Sequence, residues 1–221
     1  MCIRDSNASV ASGLPVPYPR LKSVTDKALA AVMLLVVSPV AFCAIVALAV
    51  DMVLVPRDRG PFLYRERRIS RGREFDLLKF RTLRVEQLAS LAPDGYARLL
   101  EADLSNLTRA GRVLKRWYLD ELPQLVNIVR GEMSLVGPRP WPPAMVEDQI
   151  KAGQGYRNLI QAGWTGPAQI TKGDDSVSYA DLDLAYVDAC RTLSPGRLVR
   201  YDLRILARTV TVILRGQGLR Y

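Results

Sequence analysis

The sequence contains no histidine. Every His-based nucleophile, general base and metal site is therefore excluded. Its three cysteines, Cys2, Cys43 and Cys190, make no CxxC pair and no metal-ligand spacing, which argues against a zinc site or a disulfide framework. No Walker-type phosphate loop and no dinucleotide glycine fingerprint is present; the run from Gly131 to Gly137 has neither spacing. An ATPase or a NAD enzyme finds no support. Aromatic residues are sparse, at 7%, and are not interleaved with the basic cluster as they would be on a nucleic-acid platform, so nucleic acid is not an expected partner. Catalysis, if present, must come from carboxylates, Lys or Arg, hydroxyls, backbone groups or a cation held by oxygen ligands.

The 221 residues suffice for one domain with a long anchor. The formal net charge is +9, and residues 56–85 hold ten basic and four acidic side chains. Two-thirds of the excess thus sits in thirty residues, a pattern that expects an anion such as phosphate or lipid headgroups.

Ala28 to Val50 carries no charge. A helix of that length measures about 34 Å and can cross a bilayer core. It is longer than a signal-peptide core and follows a mixed polar segment from Tyr18 to Asp26, so cleavage is not expected. Ser38-Pro39 lies near its middle. Pro39 clashes with the carbonyl of Leu35, and the Ser38 hydroxyl can satisfy a freed carbonyl. Arg20, Lys22 and Lys27 precede the run; Arg57 and Arg59 follow it. Basic residues at both ends suit a segment that dips and returns, because a spanning helix would place one basic end on the disfavoured side. A kinked spanning helix satisfies the same chemistry, and the residues alone leave both open.

Residues 1–20, with Pro15, Pro17 and Pro19, read as disordered, 21–55 as the membrane helix and 56–221 as the catalytic domain. Phe62–Ile69 and Glu74–Thr82 read as a hairpin closed at Ser70–Arg73. Helices are expected over Val85–Leu104, broken near Pro93-Asp94-Gly95, and over Thr108–Trp117, Leu122–Val129 and Asp181–Cys190. A final helix places Leu203, Leu206, Ala207, Val210, Ile213 and Leu214 on one stripe, with Arg204, Arg208 and Arg215 elsewhere. That stripe suits a core, and equally a membrane interface.

The sequence Leu119-Asp120-Glu121-Leu122-Pro123 sets two carboxylates just before a helical run. The plain reading makes Asp120 an N-cap, stabilising by about 1 kcal/mol. The sharper reading has the helix N-terminus keep Asp120 ionised and nucleophilic, and lets one carboxylate attack while the other holds a cation. Lys79 and Arg81, two apart on a strand, would share one side. Arg139 sits in the rigid run Gly137-Pro138-Arg139-Pro140, where a stiffened guanidinium can clamp phosphate. With Arg112, these are the candidate phosphate contacts. Cations around a carboxylate nucleophile suit phosphoryl transfer with Mg²⁺.

Three ordered blocks now resemble one family. They are Lys79-Phe80-Arg81-Thr82, then Lys115 to Leu125 continuing through Asn127 and Gly131 to Pro140, then Gly163-Trp164-Thr165-Gly166-Pro167-Ala168-Gln169. The chain resembles the bacterial sugar transferases, monotopic polyprenyl-phosphate glycosyl-1-phosphate transferases, from about Leu21 to its end. The resemblance implies Asp120 as nucleophile, Glu121 with Mg²⁺, Arg139 on substrate phosphate, Ser38-Pro39 as the break of a re-entrant helix, and Asp26 at the membrane interface. It implies an α+β fold, mainly helical and monotopic, with interfacial amphipathic helices and a small hairpin. It implies a UDP-sugar and polyprenyl (undecaprenyl) phosphate as substrates, and initiation of glycan assembly at the bacterial inner membrane, with the catalytic domain facing the cytoplasm. Downstream glycosyltransferases and a second copy of the chain are the implied protein partners. The lack of four preceding spanning helices suggests the minimal form. Arg65-Glu66-Arg67 and Ile69-Ser70 depart from the family pattern, which bears on sugar identity. The competing readings are another metal-dependent lipid phosphotransferase and a non-catalytic basic scaffold.

Overall fold

The computed structural model describes residues 14–91, 97–171 and 177–214. The apolar run lies within helix α1, Arg20–Leu54, which holds Pro39 inside it. The expected break is thus accommodated within one continuous helical element. The Ser38 hydroxyl donates to the Leu35 carbonyl at 2.8 Å, the group that Pro39 cannot serve.

The chain then forms the hairpin β1, Leu63–Ser70, and β2, Arg73–Phe80. Arg71 and Gly72 both take positive φ, 50° and 72°. That is the two-residue turn whose twist matches paired strands, and it sets the register Ser70↔Arg73 through Leu63↔Phe80. Arg81 and Thr82, expected within the second strand, lie past its end. Short helices α2, Val85–Ser90, and α3, Ala97–Glu101, follow. The break expected at Pro93–Gly95 lies outside the described residues.

Helix α4, Arg109–Arg116, is capped by Thr108, whose side chain accepts from the Gly111 amide. A Cβ on Gly111 would collide with the Thr82 carbonyl, so glycine lets this helix lie directly on the chain leaving β2. Helix α5 runs Gln124–Arg130 and ends at Gly131, φ 81°. Strand β3, Ser134–Val136, pairs in parallel with β4, Gly163–Thr165, after helices α6, Pro143–Lys151, and α7, Tyr156–Leu159. Helices α8, Pro167–Ile170, α9, Tyr179–Thr192, and α10, Pro195–Leu214, complete the chain.

The main core gathers Leu125, Ile128, Met133, Leu135, Tyr156, Tyr186, Leu198 and Ile205, with Leu29, Met33 and Leu34 of α1 packed on it. A second cluster joins Ala44 and Leu48, further along α1, to Phe80, Ala110, Leu114 and Leu122. One face of α1 therefore packs on the domain along both halves. The other face leaves Val32, Leu35, Val36, Phe42 and Val53 exposed.

Both ends of α1 are fastened. The Lys22 ammonium is buried between Asp202, 2.6 Å, and Asp26, 3.3 Å. Asp26 also accepts from Tyr18, 2.9 Å, and Ser134, 2.6 Å. At the other end Asp51 accepts the Ala110 amide at 2.9 Å, at the first turn of α4. The disorder expected over residues 1–20 does not hold for 14–20. Val16 is 1% exposed, sits in the core and donates its amide to Leu159 at 2.8 Å. Residues 1–13 lie outside the described residues.

Of the two readings open for the final helix, the core one does not hold for most of its apolar stripe. Leu203, Ala207 and Val210 are exposed, while Leu198, Asp202 and Ile205 are buried. Asp202 faces inward because Lys22 and the Tyr186 hydroxyl bind it. Buried charge is tolerable only when so paired. The side chains of 213 and 214, and all of Arg215, lie outside the described residues.

Candidate functional site

Alternation along β1 turns Glu66 and Arg68 inward and leaves Arg65 and Arg67 outside. Lys79 of β2 enters the same side, opposite Tyr64. Its ammonium lies 3.1 Å from Glu66, which also pairs with Arg68. Both carboxylate and ammonium are buried. Burial alone would lower the Lys79 pKa, but Glu66, Glu121 and Glu101 around it raise it, so the ammonium stays charged.

Helix α4 ends at Trp117, and Tyr118 then takes a left-handed conformation, φ 55°. That reversal is uncommon for a non-glycine residue. It starts the tight turn Leu119–Glu121, which throws Asp120 inward to 1% exposure. Asp120 is not the cap of α5. Both of its carboxylate oxygens are buried with no hydrogen-bond partner, and the nearest cation is Lys115 at 3.9 Å. Burial, and then the neighbouring Glu121, push its pKa up to about 7. The expected N-cap geometry is absent, because Pro123 and not Asp120 precedes α5, and desolvation with a like charge beside it opposes ionisation. A buried carboxylate without a hydrogen-bond partner is costly in a folded chain.

Glu121 has the opposite fate. Burial opposes its charge, but Arg139, Lys79 and Lys115 together bring its pKa down to about 2. Arg139 donates to it at 3.1 Å. Arg139 is delivered by a loop tied on both sides. The Gly137 amide reaches Thr165 at 2.8 Å, the Gly163 amide reaches Pro138 at 2.9 Å, and the Ile69 amide reaches Trp141 at 3.0 Å. A Cβ at Gly163 would collide with Gly137, which is why this second motif can lie against the third. Trp141 is in turn stacked under Arg157, 3.8 Å from ring centroid to guanidinium carbon.

Of the expected site residues, Asp120, Glu121, Lys79 and Arg139 come together. Arg81 does not join them. Its guanidinium donates to the carbonyls of Pro61, Leu83 and Asp58, so it ties the strand end to the preceding turn. Three orphan carbonyls need those donors more than a solvent-filled site does. Arg112 is exposed on α4 and donates to Leu104 at 3.0 Å. Asp26 belongs to the Lys22 cluster, away from Asp120, and Ser38-Pro39 stay in α1. The sequence reading missed Glu66, Arg68, Glu101 and Lys115. The two-residue turn at Arg71-Gly72 fixes the pairing and would have put Glu66 beside Lys79; Glu101 and Lys115 come from separate helices that no local pattern joins.

Comparison with known proteins decides the family. Residues 18–216 match the bacterial sugar transferase family. The chain belongs to that family. It is 36% identical over 211 residues to the exopolysaccharide production protein ExoY of Rhizobium meliloti, covering 87% of this chain and 85% of that protein. It is 34% identical over 210 residues to the UDP-glucose:undecaprenyl-phosphate glucose-1-phosphate transferase of Caulobacter vibrioides, covering 90% of this chain and 73% of that protein. The Escherichia coli protein of the same description is 36% identical over 200 residues, covering 86% of this chain but 39% of its own length. As a sugar transferase the chain is an enzyme. Among its described residues, the polar cluster that holds Asp120 joins two of the three motifs, at Lys79 and at Lys115 to Arg139.

Proposed function

We propose that this sugar transferase moves a sugar-1-phosphate from a UDP-sugar to polyprenyl phosphate, undecaprenyl phosphate in the bacterial inner membrane, through a covalent phospho-sugar on Asp120. The observation that carries this reading is the Asp120 carboxylate itself. It is buried, has no hydrogen-bond partner, and lies within the reach of Lys115 and Lys79. An Asp120 oxygen attacks the sugar-side phosphorus as the bond to UMP breaks, and UMP leaves with the electron pair. The lipid phosphate then displaces Asp120 and collects the phospho-sugar. Because Asp120 is 1% exposed, substrate entry requires side chains around it to move. Arg139, at 39% side-chain exposure, and Glu121, at 12%, mark the outward path.

Mg²⁺ fits this donor set. Among the described residues no group of three or more Asp, Glu, Cys or His gathers as a complete metal cage. Mg²⁺ needs only one or two carboxylates when substrate phosphates supply further oxygens, and Glu121, a buried carboxylate kept charged by Arg139 and Lys79 beside Asp120, would hold it. When bound, it would supply positive charge to offset the substrate diphosphate. Arg139 holds Glu121 in its ionised form and orients it; Lys79 keeps cationic charge behind both carboxylates.

The same reading includes a re-entrant anchor. Lys22 and Asp51, near opposite ends of α1, both bond one folded domain, and the apolar face between them is exposed. A segment that dips and returns satisfies both facts and places the site at headgroup depth, facing the cytoplasm. Helix α4 adds an outward stripe of Arg109, Arg112, Val113, Arg116 and Trp117, all exposed, with the basic and apolar mixture of an interfacial helix.

The test uses the full chain in detergent with Mg²⁺, a panel of UDP-sugars and undecaprenyl phosphate, scored by UMP release. Asp120→Asn should abolish release and leave no labelled sugar-phosphate on the protein. Undiminished turnover in that variant sinks the nucleophile. Labels placed at both ends of α1 should be reached from one membrane face only; access from opposite faces sinks the dip.

A further inference from the structure

Lys115 is a half-buried cation that no motif reading assigned to the chemistry. It lies on the last turn of α4, five residues before Asp120. Its ammonium, at 14% side-chain exposure, pairs closely with Glu101 and stands 3.9 Å from Asp120 Oδ2. That second separation is too long for a hydrogen bond. Glu101 is itself fixed, because the Thr82 hydroxyl donates to its other oxygen at 2.8 Å. Thr82 is held in turn, since its carbonyl accepts the Thr108 amide at 2.9 Å. Three elements that are separate in sequence thus hold one ammonium just short of an unpartnered carboxylate. If Lys115 served only to stabilise Asp120, a direct contact would serve better. The gap is the feature to explain.

We infer that Lys115 is a catalytic residue that donates a hydrogen bond to the phosphoryl oxygens while phosphorus is bonded to Asp120, and that Glu101 is the positioning residue that sets the gap. This inference rests on the covalent reading above. A phosphorus bonded to an Asp120 oxygen carries its non-bridging oxygens two bonds from that atom, into the space between Asp120 and Lys115. In the first step the Asp120–phosphorus bond forms and the phosphorus–UMP oxygen bond breaks, the electron pair leaving with UMP. No proton moves to or from Lys115; its ammonium offsets the anionic phosphoryl oxygens in both half-reactions. Donors aimed at where charge develops, rather than at the resting carboxylate, are the arrangement that lowers a barrier. Lys79 then has a different part, since its ammonium is paired with Glu66 at 3.1 Å.

The experiment follows the burst of UMP from UDP-glucose and UDP-galactose with Mg²⁺ and no lipid acceptor, using the full chain in detergent. Lys115→Met should slow the burst about 100-fold with the KM for the donor changed less than threefold. Lys115→Arg should recover at least tenfold of that loss. Glu101→Gln keeps the Thr82 contact and should slow the burst about tenfold, again with little change in KM. Thermal unfolding and Lys115→Arg serve as the decision where the Met variant folds poorly: an arginine variant that folds and shows no faster burst than Asp120→Asn overturns the inference, as does a Met variant with the wild-type rate. A wild-type protein that releases no UMP from any UDP-sugar overturns the covalent reading and this inference with it. A normal wild-type burst together with an unaffected Lys115→Met overturns the role of Lys115 alone.

Discussion

The Lys22–Asp202 pair should behave as the latch of the long apolar helix α1. Lys22 is 3% exposed and Asp202 4%, and their contact of 2.6 Å joins the first turns of α1 to α10. Replacing Asp202 by Leu leaves a buried ammonium with Asp26 at 3.3 Å and the Val136 carbonyl at 3.4 Å as its remaining partners. Breaking a buried pair costs about 3–5 kcal/mol; the surviving contacts place this case near the lower end, about 3 kcal/mol. For a chain of this size that corresponds to a loss of roughly 6–12 °C in melting temperature. Lys22→Met should cost more, because Asp26 and Asp202 then lose their shared cation. The double variant Lys22→Met/Asp202→Leu removes both charges and should be at least about 2 kcal/mol more stable than the sum of the single losses predicts. Thermal and denaturant unfolding in one detergent measures all four proteins. Losses that add within about 0.5 kcal/mol would refute the coupling, and with it the claim that this pair fastens α1.

Gly111→Ala should lower the melting temperature and reduce turnover together, because its Cβ meets the Thr82 carbonyl and must push α4, with Lys115, away from β2; unfolding and UMP release measured on the same sample check this. Arg139→Lys should raise the KM for the UDP-sugar about tenfold or more, since a planar fork becomes a point charge, and steady-state kinetics reads it. Glu101 titrates below its ordinary range: burial opposes the charge, but Lys115, Lys79 and the Thr82 hydrogen bond outweigh it. Its contribution to stability is therefore present at neutral pH and lost as pH falls through its folded value. The stability difference between wild type and Glu101→Gln should shrink on acidification, and a difference that stays constant down to pH 3 argues against it. Leu125→Ala, at a fully buried core position, should cost about 2–5 kcal/mol without changing the donor KM in the folded fraction.

Much of the architecture was legible because it is local. The two-residue turn at Arg71-Gly72 needs only the conformational freedom of its own residues. Thr108 and Gly131 end their helices through groups within one turn, and Ser38 serves the Leu35 carbonyl three residues away. The 23-residue uncharged run and the Asp-Glu pair are written in residue order. The surroundings of Asp120 were not legible. A helix N-terminus nearby argued for an ionised carboxylate, but Asp120 does not cap α5, and the burial that raises its pKa is set by the whole fold. Arg81 shows the same limit from the other side, since strand alternation placed it with Lys79 while three carbonyls beyond the strand end drew it away.

What the chain alone determined is its reaction family and its inventory: no histidine, a carboxylate pair, clustered cations and one long apolar helix. Those follow from residue identity and short spacing. The tertiary structure decided which cations meet which carboxylates, that Lys115 rather than Arg81 stands beside Asp120, and that Lys22 and Asp51, near opposite ends of α1, both bond the rest of the chain. Contacts between residues tens of positions apart depend on how the elements pack, and on which charges can be buried only in each other's company.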